Sequence, residues 1–141
     1  MRVLIFSFVL SSCYCLLGFP RWQTVGAMGL LLCNGEPAAG VFMVLYDKGY
    51  FHKTKLAYVA TDKNGFFKFS GTAKEIFQIS PKLLIYTWCN RKRDGFNSKM
   101  KEVCIDIPPK YISRGKKVKQ YWDVDIELGT EANLCSISAA Q

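Results

Sequence analysis

Few residues in this chain could carry chemistry. Among its 141 residues there is one histidine, His52, with six cysteines and 19 Lys or Arg against 11 Asp or Glu, a net charge of +8. One imidazole cannot build a histidine-based zinc site, and it leaves any Ser/His or Cys/His nucleophile a single candidate base. His52 reads as a solvated loop residue. Asp123 and Asp125 stand two apart, which puts both carboxylates on one face of a strand. A solvated sheet face accounts for them better than acid–base catalysis does. No Cys-x-x-Cys pair occurs, which disfavours zinc and dithiol redox chemistry. No cofactor is expected, and no Asn-x-Ser/Thr acceptor is present.

The elements that would position these residues begin after the N-terminal segment. Residues 1–18 carry Arg2, an apolar run from Val3 to Leu10, then small residues, the layout of a cleaved secretory leader. The run is shorter than the roughly 20 residues that span a bilayer. An uncleaved anchor is the rival reading, and cleavage after Cys15 or after Gly18 both fit. Loss of Arg2 with such a leader takes the net charge from +8 to +7. No later stretch reaches transmembrane length. Residues 19–141 are expected to form one secreted domain at the cell exterior or cell surface. Half of the chain is hydrophobic and 21% is charged, enough for a buried core and unlike a disordered tail.

Period-2 alternation and β-branched or aromatic runs dominate that domain. Strands are expected over residues 23–33, 41–47, 56–61, 66–70, 82–89, 101–107 and 121–128, with one helical turn over 72–77. The Asn64-Gly65 pair is expected to supply the positive φ angles of a hairpin turn. In the last strand Trp122, Val124, Ile126 and Leu128 share one face and Tyr121, Asp123, Asp125 and Glu127 the other. Seven strands so spaced suggest two packed sheets, an all-β antiparallel sandwich.

Leu32-Cys33-Asn34-Gly35-Glu36-Pro37-Ala38-Ala39-Gly40-Val41 and then Leu45-Tyr46-Asp47 resemble the opening of the nematode transthyretin-like family. So do Thr61-Asp62-Lys63-Asn64-Gly65-Phe66-Phe67, Pro81-Lys82-Leu83-Leu84-Ile85-Tyr86, Cys89-Asn90, and Ile107-Pro108 leading to Tyr111-Ile112. The resemblance runs from about Val25 to Cys135. It implies a secreted prealbumin-type β-sandwich with no defined shared reaction. The family usually has a histidine two residues before the cysteine of the fifth strand. Here that position is Thr87, followed by Trp88, so no role of that histidine carries over. The related hydroxyisourate hydrolases use several His and Arg residues and end in Tyr-Arg-Gly-Ser. This chain ends Ser-Ile-Ser-Ala-Ala-Gln, and its Tyr111-Ile112-Ser113-Arg114-Gly115 is internal and differently ordered. Hydrolase activity is therefore the least favoured reading.

Once Cys13 and Cys15 leave with the leader, Cys33, Cys89, Cys104 and Cys135 remain, which reads as two disulfides. Four cysteines allow three pairings. Strand direction favours Cys33 with Cys135 and Cys89 with Cys104. A Cys135 left free, or bonded between molecules, is the alternative.

Alternating strand direction also sorts the charge. Lys48, Lys53, Lys55, Lys110, Arg114, Lys116, Lys117 and Lys119 fall at one pole, with Tyr50, Phe51 and Tyr111 among them; Arg91, Lys92, Arg93 and Lys99 fall at the other. Such a pole would attract an anionic lipid surface, an acidic polysaccharide or an acidic extracellular protein. A merely solubilising set of loops is the plainer reading, and secretion disfavours nucleic acid. Leu84, Tyr86 and Trp88 form a second candidate surface if Leu83 and Ile85 face the core. The chain is expected to be a non-enzymatic binding module, with a carrier of a small apolar ligand such as a hormone or lipid as the alternative.

Overall fold

The structure, a computed structural model, describes residues 18–49, 52–92, 95 and 98–130. The leader segment 1–17, Tyr50, Phe51, Arg93 and Cys135 lie outside the described residues. Among the described residues ten strands pack as two sheets around one core. The all-β sandwich expected from the alternation is what forms.

The first sheet is organised by β1 (Arg21–Cys33). On one side it pairs antiparallel with β5 (Phe66–Glu75) through ten consecutive positions, from Arg21 opposite Glu75 to Leu30 opposite Phe66. On the other side short pieces dock in turn: β8 (Ser113–Arg114) at Gln23 and Thr24, then β9 (Trp122–Asp123) at Ala27 and Met28. The hairpin partner β2 (Glu36–Pro37) and β10 (Ile126–Glu127) take the end of β1. β9 and β10 run parallel to β1. The second sheet has the order β4 (Thr54–Ala60), β3 (Phe42–Asp47), β6 (Pro81–Thr87), β7 (Lys101–Asp106), antiparallel throughout. A 3-10 turn, Pro109–Tyr111, follows β7 and starts on proline, whose fixed φ suits a first turn.

Alternation decides which side chains meet. Val25, Ala27, Leu31 and Phe67 from the first sheet and Met43, Leu45, Leu83 and Ile85 from the second are all at most 1% exposed. Truncating one of the larger of these would cost about 2–5 kcal/mol.

Four expectations are corrected. Residues 72–77 do not form a helical turn, because β5 continues to Glu75 against the start of β1. Residues 121–128 keep their in–out alternation, but as two strands of two residues each rather than one strand. The break falls where Val124 N–H donates to Met28 O at 2.9 Å beside the irregular Gly29. The Asp62–Gly65 turn joins β4 to β5 across the two sheets, and only Gly65 within it has positive φ (77°). Asp62 Oδ1 closes the turn by accepting from Asn64 N (2.8 Å) and Phe66 N (3.0 Å).

The disulfide pairing is the fourth. Cys33 is bonded to Cys89, not to Cys135, and so Cys89 is not bonded to Cys104. Register explains why. Cys104 lies opposite Leu84, five residues before Cys89, so their Cα atoms are separated by far more than the roughly 7 Å a disulfide tolerates. Cys33 instead ends β1 and Cys89 lies just past the end of β6, one ascending strand per sheet, with Cα atoms 5.7 Å apart. Cys104 is also disulfide-bonded, to a cysteine outside the described residues.

Candidate functional site

One pole of the sandwich is where β1, β4 and β6 begin and β3, β5 and β7 end. Hydrogen bonds tie its segments together. Gln23, 7% exposed, donates from Nε2 to Phe77 O (2.8 Å) and accepts at Oε1 from Ile79 N (2.8 Å). The buried Asp47 accepts at Oδ1 from Gly49 N (3.0 Å) and Ser80 N (2.8 Å). Lys48 N donates to Ser80 O (3.1 Å), Ile107 N to Pro81 O (3.0 Å) and Gly115 N to Trp22 O (2.9 Å).

The backbones of the basic residues expected here do gather at this pole, but their side chains diverge. Lys53 Nζ lies 5.3 Å from the Tyr46 ring and Lys55 Nζ 4.7 Å from the Tyr58 ring, on the outer face of the second sheet. Lys116 Nζ lies 4.5 Å from the Trp22 ring, on the outer face of the first. Lys110 stands over Tyr111 at 5.2 Å, and Tyr111 in turn is tilted against Trp122. Arg114 sits opposite Gln23. Lys117 and Lys119 are exposed, on the segment that runs back along β1; Lys119 N donates to Ser113 Oγ (3.0 Å). Lys48 is half-buried.

Sequence reasoning missed three cations. Arg21 opens β1, Lys74 stands 5.6 Å from Trp22 across from Lys116, and Lys68 stands 4.8 Å from Tyr121. The signal was available in β5, where Lys68 and Lys74 alternate with Phe67, Phe69 and Ala73 and so point outward. What was missing was the extension of β5 to Glu75, without which Lys74 has no strand partner.

Among the described residues two hollows open at the pole. The larger, about 650 Å³, is lined by His52 together with Asp47, Lys48, Glu75, Ile76, Phe77 and Ser80. Ile76 and Phe77 are exposed there. The smaller, about 330 Å³, is lined by Arg21, Gln23, Gln78, Ile112 and Arg114. Gln78 lines both.

The stripe on β6 has the expected parity. Leu83 and Ile85 are fully buried, while Leu84 and Tyr86 face outward and Trp88 lies beyond the strand end; all three are half-buried. The stripe is wider than one strand. Phe42 packs against Tyr86 (6.1 Å) and Tyr58 (6.0 Å), and Tyr46 hydroxyl lies 3.4 Å from Cys104 Sγ. Burial, then Asp106, Tyr86 and Glu102, raise the Tyr46 pKa; burial, then Glu102, raise that of Tyr86.

Positions of possible catalytic interest have structural partners. Asp125 Oδ1 accepts from Leu30 N (3.2 Å). Thr87, where a family histidine would stand, accepts at Oγ1 from Cys89 N (3.0 Å) and so sets the approach to the disulfide.

Comparison with known proteins points one way. A family model described as TTR-52, transthyretin-like family, matches residues 28–108. Transthyretin-like protein 5 of Caenorhabditis elegans is 38% identical over 128 residues, covering 89% of this chain and 88% of that protein. Transthyretin-like protein 33 of the same organism is 32% identical, with 80% and 82% covered. Transthyretin-like protein 2 is 29% identical, with 75% and 74% covered.

Proposed function

The chain belongs to the transthyretin-like family, and from that membership and the geometry of its charged pole we propose a secreted, non-enzymatic module that binds an anionic extracellular partner. The observation that carries this is the gathering at one pole of the end of β3, the start of β4, the Pro109–Tyr111 turn and the segment after β8, with Lys53, Lys55, Lys110 and Lys116 each held over an aromatic ring. A cation resting on a ring keeps its charge at the surface and gives up some side-chain freedom before a partner arrives. Because the side chains fan onto both outer faces, the partner is an extended anionic surface rather than a point ligand. Acidic phospholipid, acidic polysaccharide and an acidic protein patch all meet that description.

Secretion is supported by the leader-like N-terminus and by disulfide-bonded Cys33, Cys89 and Cys104, since such bonds persist in oxidising compartments. The intact mass and N-terminal sequence of protein recovered from culture medium test it. Recovery of uncleaved chain in the cells alone would overturn it. Co-sedimentation with vesicles, with and without acidic phospholipid, tests the surface. Binding is expected to fall with added salt and with joint Lys→Gln change at 48, 110, 116, 117 and 119. Retention on an immobilised acidic polysaccharide is the parallel arm. Binding indifferent to these changes in both arms overturns the reading.

A carrier of a small apolar ligand is the second reading, favoured by one observation. Ile76 and Phe77 line the 650 Å³ hollow while remaining exposed, as large apolar groups in a ligand site do. Quenching or enhancement of an apolar fluorescent probe that is lost in Phe77→Ser would support it.

A further inference from the structure

We propose that Arg21 and Arg114 form a discrete site for a tetrahedral oxyanion group, a phosphate or sulfate monoester, in the smaller hollow of the basic pole. Two strand relationships place the pair. Arg21 and Gln23 are two apart on β1 and so share a face. β8 runs antiparallel to β1 with Arg114 directly opposite Gln23. Both guanidiniums therefore flank the same glutamine, and both line the same hollow of about 330 Å³.

The hollow is built for an acceptor. Among the described residues no carboxylate lines it. Neither guanidinium makes a hydrogen bond or an ion pair with another described residue, although Glu75 stands opposite Arg21 in the ladder. Gln23 has both amide atoms committed to backbone partners and is a fixed wall. Gln78 is exposed and contributes an amide that can donate. Ile112 closes the remaining side with apolar surface. Each guanidinium is a planar cationic fork. Two forks on different strands need an acceptor whose oxygens point in more than one plane. A monoester phosphate or sulfate has three such oxygens, and a carboxylate has two in one plane.

This site deepens the anionic-partner reading and rests on it for the biological source of the group, but it can fail separately. The loop lysines can be removed without touching Arg21 or Arg114. The test is a titration of the folded chain with sodium sulfate and inorganic phosphate, followed by the arginine side-chain N–H signals in NMR, with sodium chloride at matched ionic strength. Saturable shifts of two arginines are expected with both oxyanions and not with chloride. Binding should weaken about tenfold or more in Arg21→Gln and in Arg114→Gln. It should weaken less in Arg21→Lys, which keeps the charge and loses the fork, and stay unchanged in Lys63→Gln on the distant Asp62–Gly65 turn. Phenyl phosphate affinity should rise from about pH 5 to 7 as the monoester's second proton leaves near pH 6, whereas sulfate affinity should not. A sulfated disaccharide and phenyl phosphate, titrated in parallel, distinguish the two ester sources. Equal shifts with chloride, or unchanged binding in both glutamine variants, overturn the proposal. Oxyanion binding that stays intact in the lysine variants while their vesicle binding is lost supports a site distinct from that surface.

Discussion

Asn34 Nδ2 donates to Asn90 Oδ1 at 2.7 Å, and each asparagine immediately follows one cysteine of the Cys33–Cys89 bridge. Both occupy the left-handed region, with φ of 53° and 60°. The two chains thus turn back directly after the disulfide, and the side chains that permit the turn also bond to each other. Asn90 Nδ2 donates further to Gly129 O (3.2 Å), while Glu127 Oε2 accepts from Gly35 N (3.2 Å). The end of the described chain is fastened to both sheets at this pole.

Replacing Asn34 or Asn90 by alanine is expected to destabilise by about 1–2 kcal/mol, from the left-handed penalty together with the lost side-chain bond. Glycine at the same positions removes only the bond and should cost less than alanine. Urea unfolding midpoints of the four variants check this ordering.

The Cys33–Cys89 bridge closes a loop with a sequence separation of 56. The chain-entropy model assigns such a loop about 4 kcal/mol. A Cys33→Ser/Cys89→Ser variant is therefore expected to unfold at markedly lower urea concentration. Peptide mapping without reduction should recover Cys33 linked to Cys89 and Cys104 linked elsewhere.

At Gly29, φ is +152°, and an added Cβ would overlap the carbonyl oxygen of Val124. That close approach lets Val124 N–H reach Met28 O and seats β9 and β10 along β1. Gly29→Ala is expected to cost about 3 kcal/mol. Amide exchange should quicken first at Val124 and Leu128 rather than in the β1–β5 ladder.

Tyr46 and Tyr86 have pKa values raised above the ordinary tyrosine value, first by burial. Each therefore binds its proton more tightly folded than unfolded. The stabilisation is fully present below about pH 10 and is lost as pH rises through the raised folded values. Stability should decline in that alkaline window, and Glu102→Gln should lower both tyrosine midpoints in an ultraviolet titration, since Glu102 contributes to both shifts.

How much of this was legible depends on which interaction decides each feature. In β6 and β7 alternate residues differ sharply in polarity, so the inward set Leu83, Ile85, Val103 and Ile105 could be read directly. Residues 72–77 mix polar and apolar types without a period, and only pairing with Arg21–Thr24 makes residues 72–75 strand. The shared pole of the basic loops follows from alternating strand direction alone. The outer face each lysine joins does not. For Lys53 and Lys55 it depends on the register shift between Leu45 and Tyr46, which no local pattern reveals. Arg21 escaped notice for a related reason: its neighbour Arg114 is 93 residues away in sequence and becomes one only through the two-residue β8 pairing.

Lys82 sets the last expectation. Its side chain is 7% exposed and its Nζ is ion-paired with Asp106, whose side chain is 45% exposed. The two residues face each other across β6 and β7. Asp106→Asn keeps the shape and removes the charge, which leaves a buried ammonium without its counter-ion. Because Asp106 is well hydrated, the cost should fall below the 3–5 kcal/mol of a fully buried pair, at about 1–3 kcal/mol. Lys82→Met removes the buried charge itself and should be closer to neutral. Asp106→Asn should also lower the Tyr46 pKa, because Asp106 is the second cause of its rise. Urea unfolding and an ultraviolet titration on the same two variants read both effects. A larger loss in Lys82→Met than in Asp106→Asn would show that the lysine stem, rather than the ion pair, holds that edge of the sheet.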